Sequence, residues 1–331
     1  MRLKISAVLP AQLPMTACVT AARLADQTSI HRLWVTENLY TRGAFALTGA
    51  MAAVTERVRL GVGTVSPFLR SPAVLAMEAA TVQEVSGGRF SLGLGAGPAT
   101  RLAQAGVRTE RPLSELMEAV EVLRDVMAGN TADYHGRRFA NEAIALEPPS
   151  PSFGIYLAAI GQRMLHAAGR YGDGLLISMF CPRALVRDSV GTARSSAAEG
   201  ELDVVVYVPI SASTTDPAGA RRRGRDFLAE NFARFHGVEA YEQMLLRSPH
   251  VDRQVIADIA TAYLSGAEFD HLISDELLDE YVICGSEEQC ARALGLWSAG
   301  ELGVNEVALA HCGSEQALAE AIEVMGILAT A

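Results

Sequence analysis

Glu37 directly follows the apolar run Arg32–Thr36 (RLWVT), with Asn38 beside it. A carboxylate at the end of a buried strand in an α/β barrel stands at the mouth, where functional side chains collect. There it can accept a hydrogen bond from a ligand or exchange a proton with one. The competing reading is a carboxylate that caps the next helix or closes a salt bridge. A second candidate is the glycine turn Gly93-Leu-Gly-Ala-Gly97. It is not a dinucleotide fingerprint, because GxGxxG requires glycine at Pro98, or at Thr100 counted from Gly95. That fingerprint also follows the first strand of its fold, and this turn follows the fourth. Glycines at a strand end let a backbone approach a flat or phosphorylated ligand closely; tight barrel packing is the alternative.

Other chemistries find little footing. The seven histidines (His31, His135, His166, His236, His250, His271, His311) show no HxH or HxxxH pairing, so no metal site is expected. No GxSxG elbow marks a nucleophilic serine. The five cysteines (Cys18, Cys181, Cys284, Cys290, Cys312) are scattered, and Cys284 and Cys290 are too far apart for a zinc pair or a redox dithiol. Reduced, mostly buried thiols fit a cytosolic enzyme. The formal net charge is −10, and Arg221-Arg222-Arg223 reads as a solvated helix face, so nucleic acid is not an expected partner. No run approaches the roughly 20 apolar residues of a membrane span. The opening MRLKISAVLP reads as a first strand and not as a signal peptide, which points to the cytoplasm.

These residues need elements to hold them. Residues 58–98 read as strand, glycine turn, helix, Gly87-Gly88 stop, strand and second glycine turn: a βαβ unit with parallel strands. Strands are predicted at Leu3–Leu9, Arg32–Thr36, Val58–Thr64, Phe90–Leu94, Ile155–Ala159, Gly174–Ile177, Asp203–Ile210 and Val304–Ala308. Helices are predicted at Pro14–Gln27 and Ala44–Val54, and from Ser71-Pro72. Another runs through Leu113, Leu116, Val120, Leu123 and Met127, and further ones are Met164–Tyr171, Pro182–Ala198 and Ser314–Leu328. Asn130–Pro151 reads as a turn-rich connection, with a hairpin or surface loop around Tyr134-His135-Gly136 and Pro148-Pro149. Strands alternating with helices in this way predict a single α/β domain over 1–331, a (β/α)8 TIM barrel, with a doubly wound open sheet as the rival. A helical insertion at about 211–303, between strands seven and eight, holds helices around Ala218–Phe235, Val251–Leu264 and Glu287–Ser298.

Four stretches carry a family resemblance: LWVTEN (33–38), ERVRLGVGTVSPFLRSPAVLAMEAATVQEVSGGRFSLGLGAG (56–97), IYLAAIGQRMLHAAGRYGDGLLIS (155–178) and YVICGSEEQCARAL (281–294). In this order they resemble the luciferase-like monooxygenase superfamily. Within it they resemble the branch that uses the deazaflavin coenzyme F420, typified by methylenetetrahydromethanopterin reductase. The resemblance implies a cofactor bound at the carboxyl ends of the strands, with its ring deep in the barrel. It implies a surround of Gly63, Thr64, Val65, Ala96, Gly97 and the loop Ala159-Ile160-Gly161-Gln162-Arg163, the cofactor phosphate lying near that loop. It further implies a non-prolyl cis peptide at Gly63–Thr64 and a homodimer paired through the helices after the early strands.

Two departures are visible. Many relatives have Asp-His or Glu-His where this chain has Glu37-Asn38. The sugar-phosphate dehydrogenases of the branch carry Glu where this chain has Pro98, which argues against that activity. Neither prevents hydride transfer, because the cofactor supplies the hydride and the protein positions it. The expectation is an F420-dependent oxidoreductase reducing a C=C or C=N bond of a small organic molecule, with Glu37 and Asn38 bonding the ring or substrate. The alternatives are an FMN-dependent monooxygenase on the same barrel and a non-catalytic barrel that binds a flavin or a partner subunit.

Overall fold

The computed structural model describes residues 2–10, 12–147, 149–197, 202–298 and 300–330. The strands are β1 (Lys4–Leu9), β2 (Arg32–Val35), β3 (Arg59–Val65), β4 (Phe90–Leu94), β5 (Ala132–His135), β6 (Ala140–Ile144), β7 (Gly154–Ala158), β8 (Gly174–Ile177), β9 (Asp203–Ala212), β10 (Ile283–Gly285) and β11 (Glu306–His311). The helices through the barrel are α1 (Met15–Asp26), α2 (Ala44–Ala52), α3 (Pro72–Val85), α4 (Ala99–Gln104), α5 (Pro112–Met127), α6 (Gln162–Tyr171) and α7 (Arg183–Arg194). Those that follow β9 are α8 (Pro217–Phe235), α9 (Glu239–Leu245), α10 (Arg253–Ser265), α11 (Asp275–Tyr281), α12 (Glu287–Ser298) and α13 (Leu318–Leu328).

β1, β2, β3, β4, β7, β8, β9 and β11 pair in chain order, each neighbour parallel, and β11 returns to β1. The β8–β9 pairing closes the ring, with Leu175 opposite Val204, so the open-sheet alternative is excluded. A closed barrel with helical crossovers buries both faces of every strand. The period of two then sorts the side chains. Leu33, Val35, Leu157, Val204 and Val206 join the large core under the helices. Val8, Trp34, Tyr156, Leu176, Val205, Tyr207, Ala308 and Ala310 form a separate cluster in the barrel interior. Two inward glycines of β3 make room for the interior aromatics. A Cβ on Gly61 would lie 2.4 Å from Trp34, and one on Gly63 would lie 2.3 Å from the Tyr207 hydroxyl.

Most strand boundaries differ from the sequence reading by a residue or more: β1 starts at Lys4 rather than Leu3, β2 ends at Val35 rather than Thr36, β7 is Gly154–Ala158 rather than Ile155–Ala159, and β9 runs on past Ile210 to Ala212. β3 starts at Arg59 rather than Val58 and runs on to Val65, because its register with β4 shifts between Gly63 and Val65. β11 starts at Glu306 rather than Val304: Asn305 is occupied in bridging, its side chain accepting from Val204 N at 2.8 Å. The last helix starts at Leu318 rather than Ser314, since Ser314 opens a 3-10 turn without capping it. The turn-rich connection contains the antiparallel hairpin β5–β6; Pro148, also read as part of it, lies outside the described residues. α7 ends at Arg194, and Ala198, read as its end, lies outside them too. The insertion carries the three expected helices and also α9, α11 and β10, the last pairing in parallel alongside the end of β9, with Ile283 opposite Ile210.

Candidate active site

The carboxyl ends of β3 and β4 are laced together. The Gly63–Thr64 peptide is cis. The Gly95 amide donates to the Val65 carbonyl at 3.1 Å, and the Ser66 hydroxyl to the Ala96 carbonyl at 3.0 Å. Gly97 has φ +77°, a left-handed conformation that a side chain disfavours. The neighbouring β7 adjoins this edge: a Cβ on Gly95 would lie 3.1 Å from Thr64 Oγ1 and 3.5 Å from Ala158 Cβ. Gly63, Thr64, Val65, Ala96 and Gly97 are thus brought together, and the 159–163 loop leaves the next strand along. Ala159 is buried, its amide donating to the Leu176 carbonyl at 3.3 Å, whereas Ile160, Gly161, Gln162 and Arg163 are exposed. α6 begins after Gly161 with no side-chain cap. The first-turn N–H groups of a helix have no acceptor within it, so they can take an anion from outside.

Glu37 stands on the rim, and its oxygens are committed. Arg70 donates to both, at 2.6 and 2.7 Å, and the Ala44 amide at the start of α2 donates to Oε2 at 3.2 Å. Arg70 also reaches Glu78 of α3 at 3.0 Å and lies over the Phe45 ring. Its pKa is raised, first by the hydrogen bonds to Glu37. This is the salt-bridge and capping geometry weighed as the alternative for Glu37. Asn38 is exposed, and its carbonyl closes a turn by accepting from Thr41 N and Oγ1. Arg42 donates to the Gln12 carbonyl, which ties the loop after β2 to the loop after β1. Glu37 and Asn38 therefore belong to the rim, and among the described residues no hydrogen bond joins them to the β3–β4 lacing.

The opposite end of the barrel is closed by charge. Glu306 is fully buried; it accepts from Trp34 Nε1 at 2.7 Å and faces Arg32 at 3.4 Å. Arg32 in turn donates to the Tyr156 hydroxyl, which donates to Asp203 at 2.7 Å. Burial pushes the free thiols of Cys181, Cys284 and Cys290 up to about 12, which disfavours the reactive thiolate there. Among the described residues no His/Cys/Asp/Glu group is arranged to hold a metal, and no helix is long and apolar enough to cross a membrane.

Sequence reasoning missed Arg70 and Tyr207. Arg70 lies in the turn just before Ser71-Pro72, and nothing local ties it to Glu37. Tyr207 shares the inward parity of Asp203 and Val205 in DVVVYVPI, but the valines between them make both faces apolar and mask that parity in the sequence.

Fold and site together define a (β/α)8-barrel protein whose glycine-rich strand ends converge at the carboxyl face, where this architecture keeps its active sites. The chain belongs to the luciferase-like monooxygenase family, whose profile matches residues 4–306. It is similar to the 5,10-methylenetetrahydromethanopterin reductase of Methanolobus tindarius, at 26% identity over 284 residues, 84% of this chain and 85% of that protein. It is also similar to the F420-dependent glucose-6-phosphate dehydrogenase of Nocardia farcinica, at 29% identity over 187 residues, 53% of this chain and 55% of that protein. Among solved structures, the coenzyme F420-dependent tetrahydromethanopterin reductase from Methanopyrus kandleri superposes with a TM-score of 0.75 at 18% identity, covering 98% of both chains. That last likeness speaks for the fold alone.

Proposed function

We propose that this protein is a coenzyme F420-dependent oxidoreductase, transferring a hydride between the deazaflavin and a small organic substrate and acting mainly as a C=C or C=N reductase. The observation that carries the reading is the convergence of Gly63–Val65, Ala96–Gly97 and the 159–163 loop on three adjacent strand ends, in a family with named F420 enzymes. The residues present fit the cofactor. Gly97 leaves the backbone bare beside the β3 end, which suits a flat ring. The uncapped start of α6 with exposed Arg163 suits a phosphate.

Bound there, the deazaflavin carries the hydride. The chain's own residues do the rest. Gly63, Thr64 and the backbone of Val65, whose side chain packs in the core, would form the floor, Ala96 and Gly97 one wall, and Ala159, Ile160, Gly161, Gln162 and Arg163 the anion end. Asn38 offers an amide that donates and accepts hydrogen bonds but does not titrate. Glu37, with both oxygens engaged by Arg70, holds the rim loops in place, and water is the proton source that this arrangement leaves.

Three further readings go with this one. The chain works as a single domain over 1–331. It resides in the cytoplasm, in keeping with its free thiols. It pairs as a homodimer, in keeping with exposed Val74, Met77 and Val85 on α3.

Titration of the purified protein with F420 and with FMN, followed by absorbance and fluorescence, tests the cofactor. Saturable F420 binding is the expected result. Binding of FMN without F420 replaces the cofactor with a flavin, and binding of neither removes the oxidoreductase reading.

A further inference from the structure

We infer that Tyr207 is a positioning residue for this site: from inside the barrel its hydroxyl holds the Gly63 carbonyl and so sets the level of the floor formed by Thr64 and Val65. The inference rests on the cofactor site proposed above, but its structural half stands on contacts within the chain.

Tyr207 lies on β9, across the barrel from β3, with its side chain turned inward beside Trp34 (ring centroids 6.2 Å apart). Its hydroxyl donates to the Gly63 carbonyl at 3.2 Å. Gly63 makes that reach feasible, since a Cβ there would lie 2.3 Å from the Tyr207 oxygen and 2.8 Å from the Trp34 ring. The contact falls where the β3–β4 register shifts, between Gly63 and Val65. At such an irregularity the ladder is locally disrupted and a backbone group needs another partner. Burial raises the phenol well above its ordinary pKa, so it remains a protonated donor.

The consequence is local. Thr64 follows Gly63 directly, and Gly95 lies against Thr64 while its amide bonds the Val65 carbonyl. Releasing the Gly63 carbonyl therefore loosens the floor and the β3–β4 lacing together. Tyr156 provides the comparison. It is also an interior tyrosine, but it bonds Arg32 and Asp203 at the far end of the barrel.

The test compares wild type, Tyr207→Phe and Tyr156→Phe in two measurements. Hydrogen exchange on cofactor-free protein should show faster exchange across residues 60–70 in Tyr207→Phe and not in Tyr156→Phe. Unchanged exchange in Tyr207→Phe overturns the inference. Titration with F420 should show affinity weakened roughly two- to tenfold in Tyr207→Phe, the size of one lost hydrogen bond, with an altered spectrum of the bound cofactor. Equal weakening in both variants, or in neither, also overturns it. If wild type does not bind F420, the cofactor reading fails, and the exchange measurement alone decides whether Tyr207 holds the floor.

Discussion

Both oxygens of Glu37 are taken up by Arg70 and the first amide of α2, and the carboxylate is only 9% exposed. Glu37→Gln keeps a group that can accept from Ala44 but leaves Arg70 with Glu78 as its acidic partner. Charge-assisted hydrogen bonds are worth about 1.5–3 kcal/mol, so urea denaturation should show a loss of roughly that size. Asn38→Ala, at an exposed side chain, should leave stability unchanged and weaken ligand binding. If Glu37→Gln retains full stability and instead loses about 100-fold or more in single-turnover hydride transfer, Glu37 is a proton donor and the anchoring role is wrong. His31 gives a second residue-level prediction. Its pKa is pushed down to about 4 by burial, with Arg32, Lys4 and Arg59 adding and Glu306 opposing. An unfolded-chain histidine keeps its ordinary value of 6.5. Between these values the unfolded chain binds more protons than the folded one. His31 therefore costs nothing above pH 6.5, and stability falls as pH drops from there toward about 4. Urea midpoints measured near neutrality and near pH ~5 should fall further in wild type than in His31→Asn. Equal falls would remove the effect.

At the scale of elements, the strands were the legible part. β4 and β8 match their sequence bounds at both ends, Gly88 stopping the helix before β4 and Gly174 opening β8. The short elements were not legible, for a physical reason. α9 and α11 have seven residues each, too few for a helical period to stand out. Tertiary ring contacts hold them, Tyr241 on Phe235 at 4.5 Å and Tyr281 against Phe232 at 5.7 Å. The same limit hid part of the site. Glu37 could be found from its place after RLWVT, whereas its partner Arg70 is 33 residues away and meets it only when β2 and β3 pair. Tyr207 sits in a strand buried on both faces, where runs of valine blur the alternation. Barrel filling can be tested with two glycines. A Cβ on Gly61 would meet the Trp34 ring at 2.4 Å, and Trp34 is pinned by its bond to Glu306. Gly61→Ala should cost at least ~1–3 kcal/mol through overpacking. Gly49, inside α2, has nothing within 4 Å of such a Cβ, so Gly49→Ala should be neutral or stabilise by up to ~1 kcal/mol. Comparable thermal shifts for the two variants would count against the close aromatic–glycine packing of the interior.

At the scale of the whole molecule, the proposed homodimer can be argued from one helix. Val74, Met77 and Val85 are 41%, 55% and 50% exposed, and their spacing on α3 puts them on one face. Of the two acids on α3, Glu78 is neutralised in the Arg70 cluster, which leaves Glu84, exposed beside Val85, as the acid at the edge of this stripe. That matters because two chains of net charge −10 repel at long range, and association needs a contact face where charge is low. A two-fold interface brings the same patch from both protomers together. One acid placed in it therefore appears twice at close range, with little effect on a monomer whose α3 face is open to solvent. Light scattering at micromolar concentration should give twice the 35.2 kDa chain mass for wild type and a single chain mass for Met77→Glu. F420 affinity should be the same for both, because the strand ends that form the candidate site all come from one barrel. A wild-type protein that scatters as a single chain sinks the dimer. A Met77→Glu protein that remains paired moves the interface away from α3.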